Sequence, residues 1–184
     1  MPSHRLRTIV VTAVLIALAV ALGFGMIHVP NVELITLIVF ISGHLLGPRI
    51  GLAVGAVAMG LFTTLNPMGM PVLPLALTQV AAMALIGLLG GGTRLWIGRG
   101  RSWTRMALCG LLATLFYDLI TNLVMAVSLG MIGQLARVLI AGLTFSLLHM
   151  ISNTVIFAAA GSGLTALRRH LERNGSVNSG FPVS

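Results

Sequence analysis

The chain is poor in charge and poorest in acid, with three Asp and Glu among 184 residues and 8% charged residues in all. An ordinary soluble domain carries roughly 25%, so a fold with a fully hydrated surface is excluded. Cysteine is all but missing: the single Cys109 sits inside an apolar run, which rules out a disulfide framework or a Cys-rich metal site. Lysine is absent, and the net charge of +8 comes from arginines that fall between apolar blocks. Such a distribution is not the footprint of nucleic-acid binding. Aromatics are few, with two tryptophans and one tyrosine, which argues against a ligand site built as a stacked aromatic cage.

What remains is apolar: 57% of residues are hydrophobic and mean hydropathy is +1.05. Since about 20 apolar residues cross a bilayer, the length leaves room for roughly five to seven spans and little else. The expectation is an all-α integral membrane protein, a six-transmembrane-helix bundle forming one membrane domain over 1–173. Its spans lie at about 8–27, 33–47, 50–65, 75–91, 106–129 and 137–160. The first block also carries the A-x-A triplet Ala19-Val20-Ala21 of a signal-peptide site, but its apolar run continues through Leu22, Phe24 and Ile27, which favours a retained span. Gly161-Ser162-Gly163 is expected to interrupt the sixth block, with 164–173 as an amphipathic cytoplasmic helix and 174–184 as a disordered tail. Trp96 and Trp103 lie in an arginine-rich segment and suit interfacial anchors.

Arginine placement predicts the orientation. In this six-span arrangement Arg5, Arg7, Arg49, Arg94, Arg99, Arg101, Arg105, Arg168, Arg169 and Arg173 fall on one side and Arg137 on the other, an N-in, C-in vote.

Polar side chains inside spans are expensive and mark pairing or functional positions. Asp118 and Asn122 share one face of the fifth block beside Tyr117 and Thr121, and His149 and Asn153 share one face of the sixth near Ser146 and Ser152. Asp118 and His149 both fall near mid-span, where they form either a clamp between helices or part of a ligand site. Asn153 lies deeper and reads as helix glue. On the outer side, Asn31 reads as an N-cap and Glu33 as a helix-dipole carboxylate or a ligand contact. Asn66-Pro67-Met68-Gly69 is a turn or a lid, and Gln79 stands about one turn into the fourth block. Small residues recur at Gly51/Gly55, Gly87/Gly91 and Ala13/Ala17/Ala21, the spacing that lets helices approach closely. The alanine stripe is either an internal packing face or a docking face. Ser146, His149 and Ser152 suggest an intramembrane hydrolase, yet no oxyanion-hole motif accompanies them.

Six spans in 184 residues, the Ala13/Ala17/Ala21 stripe, Val29-Pro30-Asn31-Val32-Glu33-Leu34 before the second helix and Asn66-Pro67-Met68-Gly69 after the third together resemble the substrate-binding S component of energy-coupling factor (ECF) transporters. The resemblance covers about Arg7 to Arg169. It implies a membrane-embedded protein of a prokaryotic plasma membrane that captures a vitamin or related micronutrient at its outer face and needs no cofactor. It also implies a transmembrane coupling subunit, docked on the small-residue face of helix one, and two cytoplasmic ATPases. The lack of a Walker motif here agrees with separate ATPase chains. By the same resemblance the ligand-binding residues are Asn66, Met68, Gln79, Asp118, Asn122 and His149, and Glu33 joins them as the one acidic residue expected on the outer side. A solitary transporter or a membrane scaffold is the alternative that the sequence leaves open.

Overall fold

The computed structural model describes residues 4–97 and 102–173, and every regular element among them is helical. α1 spans His4–Gly25, α2 Ile35–Leu46, α3 Pro48–Thr64, α4 Leu73–Gly92, the short α5 Arg94–Ile97, α6 Ser102–Ser128 and α7 Leu135–Arg173, the last preceded by a 3₁₀ turn at Ile132–Gln134. Arg99, Arg101 and the tail over 174–184 lie outside the described residues.

Four of these helices, α1, α4, α6 and α7, are long and apolar enough to cross a membrane. α2, with 12 residues, is about 18 Å long, well short of a hydrocarbon core of about 30 Å. α3 has 17 residues. The two are joined by Gly47 alone, whose φ of +106° is open to glycine and strained for other residues. Pro48 then starts α3, a position where its missing N–H would have no partner in any case.

α2, α3 and α4 pack through their glycines. A Cβ on Gly43 would lie 1.9 Å from the Gly87 carbonyl oxygen, and one on Gly87 would lie 2.0 Å from that of Gly51. Gly55 opposes the Met83 carbonyl and Gly90 the Phe40 carbonyl in the same way. Backbone therefore rests on backbone, and dispersion between close helices replaces the hydrophobic drive that lipid does not supply. Around this contact, buried Ile35, Val39 and Phe40 of α2 meet Val54, Ala58 and Met59 of α3 and Met83 and Ile86 of α4. Phe40 also reaches Phe157 of α7, edge to face at 5.4 Å between ring centres.

α1 lies against α2 and α3 with Ala19 and Gly23 turned inward, while Ala13, Ala17 and Ala21 are exposed. The stripe is thus not an internal packing face.

Three expectations need correction. Gly161-Ser162-Gly163 does not break the sixth helix, since α7 runs on through it for 39 residues in all. Gly161 serves a close crossing instead: a Cβ there would lie 2.8 Å from the Cα of Trp103, and its carbonyl accepts a hydrogen bond from Ser102 Oγ at 2.9 Å. The second helix starts at Ile35, not at 33, with Leu34 at the N-cap and no side-chain cap from it. Asn31 is therefore not the cap; it holds a left-handed turn at φ +58°, a conformation asparagine tolerates better than most residues.

Candidate functional site

The segment between α1 and α2 is not helical, yet it rests against the middle of α7. Ser152 Oγ donates to the Asn31 carbonyl at 2.5 Å and to the His149 carbonyl at 3.0 Å. His149 lies about 21 Å down α7 from Leu135 at the usual helical rise. Irregular backbone at such a depth in a membrane protein must find its partners in protein, and polar side chains of α6 and α7 supply them.

Glu33 is the hub. Its Oε2 accepts the Thr36 N–H at 2.9 Å, which caps α2 from the side chain, and its Oε1 accepts from Asn153 Nδ2 at 3.1 Å. His149 Nε2 lies 3.7 Å from the same Oε1, and its Nδ1 lies 2.9 Å from Asp118 Oδ1. Asn153, fully buried, also donates to Thr114 Oγ1 at 2.9 Å. The Asp118–His149 pair expected across the fifth and sixth spans is present, extended to a second carboxylate that sequence spacing gave no reason to place there.

Three buried atoms of this region have no hydrogen-bond partner: Asn31 Nδ2, Asp118 Oδ2 and Asn153 Oδ1.

Beside the network lies a cavity of about 330 Å³. Met59, Phe62 and Thr63 from the end of α3 form one wall, and Asn66, Met68 and Met70 from the following loop form another. Gln79 of α4 and Tyr117 of α6 complete it. The loop is shaped locally: Asn66 Oδ1 accepts the Met68 N–H at 2.9 Å, the Asn66 carbonyl accepts the Gly69 N–H at 3.0 Å, and Gly69 takes φ +100°. Met68 is left 78% exposed. Thr63 Oγ1 stands 3.5 Å from Gln79 Oε1, a weak contact that leaves the amide available.

Tyr117 joins the two parts. It lines the cavity and sets its ring at 86° to that of His149, with centres 6.4 Å apart. Of the residues singled out from sequence, Asn66, Met68 and Gln79 share the cavity, and Glu33, Asp118 and His149 share the network. Asn122 belongs to neither; it is half-buried with its amide oxygen toward Gly142 of α7. Thr114, Thr63 and the bridging part of Tyr117 were not foreseen. Threonine in an apolar helix carries no distinctive signal, whereas the one tyrosine of the chain, next to Asp118, did.

No serine is activated here. Ser152 donates to backbone carbonyls and the His149 ring is engaged by Asp118 and Glu33, so the hydrolase constellation does not assemble.

A family model described as ECF transporter, substrate-specific component matches residues 7–160. No curated protein and no solved structure matches the chain.

Proposed function

The chain belongs to the family of ECF transporter substrate-specific components, and from that premise we propose that it captures a vitamin or related micronutrient in the cavity beneath the Asn66–Pro71 loop. The family and the apolar helices make it a multi-pass membrane protein and a substrate-binding subunit of a transporter, not an enzyme.

The observation that carries the reading is the cavity itself. At about 330 Å³ it is within the range of small-molecule pockets. It combines apolar walls with a few polar groups, the Asn66 and Gln79 amides and the Thr63 and Tyr117 hydroxyls. A loop with an exposed methionine at its edge can move over the mouth without breaking helix contacts.

In this reading α2 and α3 also cross the membrane, giving six spans with both ends in the cytoplasm, as the arginine distribution favours. α2 is long enough only because the segment over 26–34 continues it toward the outer side. The exposed Ala13, Ala17 and Ala21 offer a flat strip on which a transmembrane coupling subunit can seat, with two ATPases on its cytoplasmic side. The host membrane is the plasma membrane of a prokaryote.

Native mass spectrometry of the detergent-purified protein tests the reading. The expected result is a co-purified vitamin-sized molecule whose occupancy falls at least tenfold in Gln79→Ala. A molecule retained in full by that variant, or its absence together with no thermal response to a vitamin panel, overturns the cavity assignment.

A further inference from the structure

The cavity and the ion network together bear on the charge of what is bound. We infer that the ligand is an organic cation, a small molecule with a protonated amine or another positively charged nitrogen. The inference rests on reading the cavity as the substrate site.

None of the residues lining the cavity is charged, so any full charge felt there comes from behind its walls. Behind Tyr117 stand Glu33 and Asp118, two of the three acidic residues in the chain, with His149 between them. With all three groups ionised one negative charge is left over, and with a neutral imidazole two are. Among the described residues no basic side chain other than His149 is ion-paired with them. Arg137, on the same helix as His149, lies about 18 Å from it along the axis and bonds to Gln134. Arg5 and Arg7 open α1, Arg49 opens α3 and Arg105 opens α6, whereas the cavity sits at the closing end of α3 and the opening end of α4. The start of α4 brings a partial positive charge to that end. Pro74 removes one of its free N–H groups, and a fractional dipole charge does not balance a carboxylate.

A second observation points the same way. Beside one unmet buried donor, Asn31 Nδ2, stand two buried acceptors without a donor, Asp118 Oδ2 and Asn153 Oδ1, and Asn153 is fully buried. Both acceptors belong to the network, and native interiors rarely leave such acceptors unmet. Unmet acceptors thus outnumber unmet donors around this negative charge, and an ammonium or amidinium group in the neighbouring cavity brings positive charge toward them. The Tyr117 ring in the cavity wall likewise attracts a cation and repels an anion. A carboxylate or phosphate ligand would instead meet like charge through a low-dielectric wall with no arginine or lysine to hold it.

The test is a thermal-shift and calorimetric panel on the detergent-purified full chain, with probes in three charge classes: thiamine and pyridoxamine as cations, riboflavin and nicotinamide as neutral compounds, pantothenate and biotin as anions. Each probe is run on the wild type, Glu33→Gln, Asp118→Asn and Gln79→Ala. The expected result is a cationic binder whose affinity falls about tenfold or more in Glu33→Gln and also falls in Gln79→Ala. Glutamine can still accept the Thr36 N–H, and Asp118→Asn provides the charge deletion if Glu33→Gln does not fold. A neutral or anionic binder that is indifferent to both charge deletions but lost in Gln79→Ala overturns the charge class and leaves the cavity reading standing. A cation whose binding needs Glu33 but not Gln79 overturns the cavity reading and keeps the charge class. Binding by no probe, with nothing co-purified, removes both.

Discussion

α2, α3 and α4 on one side of the molecule and α6 and α7 on the other are held together by different means. The first three touch backbone to backbone through Gly43, Gly51, Gly55, Gly87 and Gly90, with no room for a methyl group. The last two approach closely at Gly110 and Gly161, but in between they are fastened by polar side chains, Asp118 to His149 and Thr114 to Asn153. Toward the turn that joins them they carry exposed Leu143, Phe145 and Ile140. A glycine contact has a steep, short-range energy and one geometry. A set of hydrogen bonds among side chains has several geometries of similar energy and can be re-formed. The rigid trio suits a frame, and the latched pair, whose Tyr117 forms one wall of the cavity, suits a part that changes with its ligand.

The contrast can be broken by substitution. Gly87→Val places a side chain where the Gly51 carbonyl of α3 allows none, and because helix backbone yields less than a side chain the cost is about 3 kcal/mol or more. Loss of the monodisperse folded species on size exclusion is expected; a variant with wild-type thermal stability would show that the trio is not a rigid frame. Asn153→Ala removes two donated hydrogen bonds and leaves Glu33 short of a donor, a loss of about 1–2 kcal/mol. It should appear as a lowered melting temperature with the fold retained, and a collapse as complete as that of Gly87→Val would erase the distinction between frame and latch. Ala17→Leu, on the exposed side of α1, changes intrinsic stability by about 0.5 kcal/mol or less. It should nevertheless abolish co-purification with a coupling subunit, and unimpaired co-purification would remove the docking role from that strip.

Much of the helical order was legible because bilayer thickness imposes long apolar runs and glycine, proline and arginine punctuate them. α1, α4 and α6 begin and end within a few residues of the expected spans. Of the misjudged features, the break at Gly161 has the plainest physical reason: glycine ends helices in water but lets them cross closely in lipid, and one sequence cannot say which use applies until its neighbour, Ser102, is in place. Likewise the Asp118–His149 pair followed from spacing along two adjacent helices, whereas the approach of Glu33 to Asn153 joins residues 120 positions apart and no local period encodes it. Asn122 had the right spacing and depth and still turned away from the cavity, because a helix face is a broad arc and the direction of the wall within it is set by packing.

The one-residue joint at Gly47 bears on how the chain enters the bilayer. A helix of 12 residues is too short to cross a hydrocarbon core by itself, and the Gly47 joint folds it back at once onto α3. In the six-span reading the two therefore enter the bilayer as a hairpin, with the glycine faces that receive α4 already side by side. Insertion and packing are then a single event for this part of the protein, and a chain truncated between the two helices would have no stable transmembrane intermediate to occupy.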